Sequence, residues 1–226
     1  MIEAIIFDCD GVLVDSEVLA IRGERTALGA LGLHYDPQTY VDRFVGMHDR
    51  LFFDTLRQDY RTIHGGEAPA DFEEKVLDGR RKHKDGLEAI SGAAAAIAAA
   101  SEAVGNVAVA SSSRAHFLTS KLERTGLHAL LAPHIYSADL VEHGKPAPDI
   151  FHHAARQLGV PAERCLVLED SKNGVAAGVA AGMTVWGFTG GGHCFAGYSK
   201  KLITAGAHAV KEDFAAFIAA LETLNS

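Results

Sequence analysis

Phe7-Asp8-Cys9-Asp10-Gly11-Val12-Leu13-Val14-Asp15-Ser16 closes a short apolar run, residues 2–7, that reads as a buried strand. Two acids follow it at a spacing of two. In extended chain such side chains fall on the same side. They would therefore meet at the carboxyl end of a strand, which is where open α/β sheets place their ligands. Gly11 lets the chain turn away after them. Paired carboxylates repel, so a cation belongs beside them, either a metal ion or a positively charged substrate group. Taken alone, D-x-D-G would also suit a solvated structural turn.

Further short apolar runs lie at Val107–Ala110, Ile135–Tyr136, Cys165–Leu168, Thr184–Phe188 and His208–Val210. Helical patterns separate them, at about 92–104, 114–125, 148–158, 172–181 and 212–221. Buried strands alternating with such helices predict a doubly wound, Rossmann-like parallel sheet covered on both faces, an α/β fold. Pro148-Asp149 marks the first turn of one helix, and Gly159 ends it. Residues 16–85 break the rhythm. They hold amphipathic stretches at 17–31, 37–44, 48–61 and 70–84 and no convincing buried strand, so an all-helical insertion is expected there. The expected division is 1–15 with 86–226 as one domain and 16–85 as the other. Ala93–Ala100, alanine but for Ile97, reads as a helix packed tightly on the sheet.

Two more segments repeat the pattern of a strand ending in chemistry, and a third holds a lysine just before a helix. Leu166-Val167-Leu168-Glu169-Asp170-Ser171 ends in two acids before a helix; its plain alternative is a helix N-cap. Two acidic strand ends in one sheet could converge on Mg²⁺, which takes oxygen ligands and keeps room for water and a phosphate. Val107-Ala108-Val109-Ala110-Ser111-Ser112-Ser113-Arg114 ends in hydroxyls, which with the free N–H groups of a helix start suit a phosphate or, again, a cap. Gly144-Lys145-Pro146-Ala147-Pro148-Asp149 pins a lysine between a glycine and a proline, a way of fixing a point charge in place.

Composition narrows the class. At 226 residues, 48% hydrophobic and 22% charged, the chain is neither disordered nor too short to bury a core. A formal net charge of −8 argues against nucleic-acid binding, with basic charge concentrated only at Arg80-Arg81-Lys82-His83-Lys84. Cys9, Cys165 and Cys194 are too scattered for a disulfide framework or a cysteine zinc site and suit a cytoplasmic location. The first residues carry no basic segment, so no signal peptide is expected. Asn173–Ser199 lacks charge, but its eight glycines and His193 read as helix, strand and loop rather than a membrane span.

Taken in chain order, the four segments resemble the four motifs of the haloacid dehalogenase (HAD) superfamily: D-x-D-G, the strand-end serine, the lysine before a helix, and the E-D pair. V-L-V-D-S-E, G-K-P-A-P-D-I-F and L-E-D-S-x-x-G-V are similar to the subgroup that holds β-phosphoglucomutase and small sugar-phosphate phosphatases. The likeness spans nearly the whole chain, and in that subgroup a helical cap is inserted after the first motif. It implies Asp8 as the nucleophile that forms an aspartyl phosphate and Asp10 as general acid and then base. Asp8, Asp10 (through its backbone carbonyl), Glu169 and Asp170 would form a Mg²⁺ site. Ser111, Ser112, Arg114 and Lys145 would bind the phosphoryl group and its surroundings. His48 and Arg50 are the cap candidates for substrate binding.

Asp10 separates this chain from true dehalogenases and from phosphonate hydrolases, which lack the second Asp. Lys75, Lys82 and Lys84 read as a solvated face rather than a Schiff-base site. In the mutase a cap loop after a glycine presents an arginine to a second phosphate. Here Gly46 matches, but Asp49 takes the arginine position and would repel that phosphate, although Arg80 or Arg81 could supply the charge. The expectation is therefore a Mg²⁺-dependent phosphatase of a small sugar or sugar-acid phosphate, ahead of a phosphomutase and of a non-catalytic sugar-phosphate binder. A helical lid would favour small molecules. Its partner is that phosphoester, with no nucleic acid, no membrane, and monomer as the default state. Gly190–Cys194 is expected to be a mobile loop; Cys9 and Trp186 belong to the core.

Overall fold

A computed structural model describes residues 1–45, 47, 49–82 and 86–224, without the side chains of Asp49 and Lys82. The chain forms two compact units, Met1–Asp15 with Leu87–Ser226, and Ser16–Gly86.

The first unit is a six-stranded parallel sheet in the order β3-β2-β1-β4-β5-β6. Its strands are β1 (Ala4–Phe7), β2 (Asn106–Ser111), β3 (Ile135–Ser137), β4 (Cys165–Glu169), β5 (Thr184–Phe188) and β6 (Ala209–Lys211). From β1 the chain winds outward one way through β2 and β3. It then returns to the other side of β1 and winds outward through β4, β5 and β6. The winding reverses at β1 and β4, so the crevice such sheets offer to ligands opens where those strands end. Register places Phe7 beside Leu168 on one side and Val109 on the other. Asp8 and Glu169, one residue further on, are thereby brought side by side.

The period of two sorts each central strand onto two faces. Ile5, Phe7, Val107, Val109, Leu166 and Leu168 pack on one face. They meet α5 (Ala93–Val104), α6 (Ala115–Arg124) and α11 (Phe214–Leu221), with α7 (His128–Leu131) beside them. Ala4, Ile6, Ala108, Ala110, Cys165 and Val167 pack on the other face. They meet α8 (Asp149–Leu158), α9 (Lys172–Ala180) and α10 (Tyr198–Thr204). Both faces are buried, which is why these strands read as continuous apolar runs rather than alternating ones. Each large side chain buried in this way contributes about 1.5–3 kcal/mol. Cys9 is fully buried in the first face, and Trp186 is only half-buried at its edge, its ring against Phe217.

Among the described residues, the elements of the second unit are all helices: α1 (Ser16–Ala30), α2 (Pro37–Phe44), α3 (Asp49–His64) and α4 (Phe72–Lys82). Asp36 caps α2, its side chain accepting from the Thr39 N–H, with Pro37 in the first turn. Tyr40, Phe44, Phe52 and Phe53 are buried and contact one another edge to face or tilted. Buried Glu24 accepts from the Tyr40 hydroxyl at 2.5 Å and pairs with Arg80. Arg80, one of two arginines considered for a second phosphate, is thus engaged inside this unit. Among the described residues no helix is long and apolar enough to cross a membrane.

Candidate active site

The site lies within the sheet unit. Asp8 follows β1 directly, and its N–H donates to the Leu168 carbonyl at 3.0 Å, holding it against β4. Lys145 reaches it from the segment before α8. The ammonium donates to Asp8 Oδ1 at 2.5 Å, to Glu169 Oε1 at 2.9 Å and to the Ala110 carbonyl at 3.1 Å. One cation thus spans the ends of three adjacent strands. Its side chain is only 5% exposed, and it stands 4.8 Å above the Phe151 ring.

Glu169 is fixed from its other oxygen. Oε2 accepts from the Ser171 N–H at 2.7 Å and from the Ser171 hydroxyl at 3.0 Å. The same hydroxyl accepts from the Gly174 N–H at 3.0 Å and caps α9. The cap reading and the site reading of this segment are therefore both true of one serine. A Cβ on Gly174 would lie 1.6 Å from Glu169 Oε1, so only glycine leaves room for the carboxylate.

Oxygen atoms of Asp8, Glu169 and Asp170 gather within 4.8 Å of one another, all buried. Burial pushes the Asp8 carboxyl well up; Lys145 pulls it back, and Glu169, Asp170 and Asp10 add to the rise. Burial also opposes the Lys145 charge, yet Asp8 and Glu169 outweigh it and hold the ammonium above its ordinary range. Three carboxylates gather here and the ammonium bonds two of them, an excess of negative charge that a divalent cation would offset. The donor set is all oxygen, which fits a hard ion.

The strand ends at Phe7, and beyond it the simple alternation stops. Leu13 and Val14 N–H groups both return to the Cys9 carbonyl in a tight turn. The Asp10 carboxylate meets a second serine and a second lysine. Its Oδ2 accepts from the Ser113 hydroxyl at 2.8 Å, and its Oδ1 accepts from Lys121. Lys121 also donates to Ser113 Oγ at 2.9 Å. The Asp10 side chain is 21% exposed and that of Lys121 23%.

The sequence profile of the haloacid dehalogenase-like hydrolases matches residues 2–182. This chain belongs to that family. It is 32% identical over 193 residues to the 6-phosphogluconate phosphatase of Escherichia coli K12, covering 85% of each chain. A haloacid dehalogenase-like protein of Agrobacterium tumefaciens is 35% identical, with a TM-score of 0.84 and full coverage of both chains. A HAD family hydrolase of Deinococcus radiodurans, solved with bound phosphate and sodium, is 35% identical with a TM-score of 0.84, over 98% and 96% of the two chains. Within the family this hydrolase is of the phosphatase branch.

The structure of the hydrolase brings Asp8, Lys145, Glu169 and Asp170 together, with Asp10 alongside on partners of its own. Ser111 is buried at the end of β2, its hydroxyl accepting from the Ser113 N–H at 3.0 Å. Ser112 and Arg114 are exposed at the start of α6. The Ala115 N–H there donates to Asp139 at 2.8 Å, so the helix start is partly capped by a distant acid. Arg50 is exposed in α3. Gly46, His48 and Lys84 lie outside the described residues, as does the Asp49 side chain. Lys75 pairs with Asp71 one turn away on an exposed face.

Three contributors were not singled out from the sequence. Lys121 lies in the last turn of α6, where a cation suits the helix dipole, and that position gives no sign of Asp10. Ser113 is the third of three identical residues. The Gly190–Cys194 segment, expected to be mobile, instead carries His193, which is 2% exposed and bonds through Nε2 to Asp170 Oδ2 at 3.0 Å. Two glycines permit this approach. Gly11 has φ +81°, and a Cβ there would fall 1.9 Å from Asp170 Oδ2; a Cβ on Gly191 would fall 2.7 Å from the Gly11 carbonyl. The Gly192 N–H further ties the segment to Asp15 at 3.2 Å.

Proposed function

We propose that this hydrolase releases phosphate from a small phosphorylated sugar or sugar acid through an aspartyl phosphate on Asp8. The observation that carries the reading is the buried Asp8 carboxylate on Lys145, with Glu169 and Asp170 gathered beside it at the switch point of the sheet. A carboxylate oxygen of Asp8 attacks phosphorus, and the bond from phosphorus to the leaving oxygen breaks. Asp10 gives its proton to that oxygen. Asp10 then takes a proton from the water that attacks phosphorus, the bond to Asp8 breaks, and inorganic phosphate leaves.

Lys145 holds the nucleophile in place and offsets charge on the phosphoryl oxygens. Ser111 bonds to the same group, with Ser112 and Arg114 at the exposed end of β2. Asp8, Glu169, Asp170 and the Asp10 carbonyl are the residues that would hold Mg²⁺. When bound, that ion favours ionised Asp8 and draws charge from the transferring group. Arg50 and His48 keep their assignment to substrate recognition on resemblance alone. A cytoplasmic location suits Cys9, Cys165 and Cys194, all present as free thiols.

Phosphate release with Mg²⁺ is to be measured across phosphorylated sugars, sugar acids and nucleotides. The name of the Escherichia coli relative puts a phosphorylated sugar acid first. Release that requires Asp8 and is abolished by chelation is the expected result. Conversion of a sugar 1-phosphate to its 6-phosphate without release would replace the phosphatase with a mutase. No turnover of any phosphoester by the unaltered chain would leave a binder.

A further inference from the structure

We propose that Lys121 is the positioning residue for Asp10, clamping that carboxylate together with Ser113 so that it can serve both proton transfers. The inference rests on the acid/base reading of Asp10 given above. It starts from the difference between the two acids. Asp8 is immobilised by β4 and by a lysine buried among three strand ends. Asp10 lies past the end of β1, in a turn, and its carboxylate bonds Ser113 and Lys121. A general acid and base must nonetheless stay within hydrogen-bond reach of two different oxygens in succession.

The clamp supplies that order from the opposite face of the sheet. Lys121 is on α6, whose Leu118 and Leu122 are fully buried against the first face, whereas Lys145 contacts Phe151 of the other. Lys121 takes Asp10 Oδ1, Ser113 takes Oδ2 at 2.8 Å, and Lys121 bonds to Ser113 Oγ at 2.9 Å. Donors on both oxygens fix the plane of the carboxylate. Ser113 is itself fixed, since its N–H donates to Ser111 Oγ at 3.0 Å. The serine hydroxyl can rotate to accept from Asp10 when that acid carries the proton, while the lysine keeps its hold on Oδ1. Lys121 therefore acts through Asp10 and need not touch the substrate.

The experiment is pre-steady-state kinetics on Lys121→Met, with Lys121→Arg and Asp10→Asn as companions. The two probes are p-nitrophenyl phosphate, whose leaving group departs without a proton, and phenyl phosphate, whose leaving group is more basic. With p-nitrophenyl phosphate, Lys121→Met is expected to keep the first burst of nitrophenolate within about threefold while steady-state turnover falls about 30-fold, part of the 10²–10⁴ that acid–base catalysis supplies. With phenyl phosphate the burst itself slows. Lys121→Arg, which also offers donors to both partners, restores most of the loss. In an Asp10→Asn background, Lys121→Met adds less than about twofold, because the two act as one unit.

Equal loss of burst and turnover with both probes would overturn the proposal, because it marks a structural role. So would an additive loss in the Asp10→Asn background. Should Lys121→Met fail to fold, Ser113→Ala carries the same test, with the same split between burst and turnover at smaller size. If Asp10→Asn itself turns over at the unaltered rate, the acid/base reading falls and the clamp with it. That result is distinct from one in which Asp10→Asn is slow but Lys121→Met is not, which removes the clamp alone.

Discussion

Asp8 and Asp10 stand two residues apart, and each bonds a lysine, yet the surroundings differ in nearly every respect. Asp8 is held on the α8 face, with a Lys145 side chain 5% exposed, two further acids close by and a hydrogen bond to the neighbouring strand. Asp10 is held on the α6 face, one-fifth exposed, by a lysine that is also one-fifth exposed and by a serine. Under the proposed mechanism, the difference teaches how one motif can yield a nucleophile and a proton carrier. The acid assigned as nucleophile is buried among charges. The acid assigned as proton carrier is partly exposed and bonds a serine hydroxyl that can change its hydrogen-bond direction.

The largest contrast is in turnover. Asp8→Asn removes the attacking oxygen and is expected to lower phosphate release by about 10⁴-fold or more, whereas Asp10→Asn loses about 10²–10⁴-fold. Acid-quenched phosphoenzyme separates them, since only the Asp10 variant can still form it. A covalent phosphate on the Asp8 variant would break the assignment.

Stability gives the second contrast. Lys145→Met strands two buried carboxylates and is expected to cost about 3–5 kcal/mol, while Lys121→Met, at a partly exposed pair, costs about 0–1 kcal/mol. Urea unfolding of the two variants reads this directly. Similar midpoints would mean that the two ends are not energetically distinct.

Gly11 sits between them in chain order and sharpens the picture. Gly11→Ala places a side chain at positive φ and into Asp170, with an expected cost of about 1–3 kcal/mol from the backbone alone. Thermal unfolding checks it. A neutral result would show that the turn can relax away from Asp170.

The smallest effect concerns His193, which bonds Asp170 on the Asp8 side of the pair. His193→Gln should weaken Mg²⁺ binding by about tenfold, as loss of an outer hydrogen bond to a ligand does, with little change in fold. Calorimetric titration of the metal-free chain measures it. Unchanged affinity would leave His193 as packing.

Most of the architecture was legible. Apolar runs such as Cys165–Leu168, short and spaced between helical patterns, read as strands buried on both faces, and the amphipathic stretches at 17–31, 37–44, 48–61 and 70–84 read as helices. Two short helices escaped notice. His128–Leu131 spans a single turn, and Tyr198–Thr204 follows a glycine-rich segment that masks its period. At the site, Asp8, Lys145 and the Glu169-Asp170 pair carry local signals: strand ends, a proline clamp and a helix cap. Lys121 and His193 carry none. A lysine near a helix end and a histidine after three glycines have ordinary explanations, and neither neighbour in sequence reveals Asp10 or Asp170.

The sequence by itself determined the strands, the insertion and the order in which charged groups follow strand ends, because hydrophobic periodicity and turn chemistry are local. Only the tertiary structure decided which charge meets which. Strand order put β1 between β2 and β4, so that one buried ammonium could span Asp8, Glu169 and the Ala110 carbonyl. Helix packing on the other face brought Lys121 to Asp10 across 111 residues of chain. Charge pairing acts over a few ångströms of space, and no spacing along the chain encodes it.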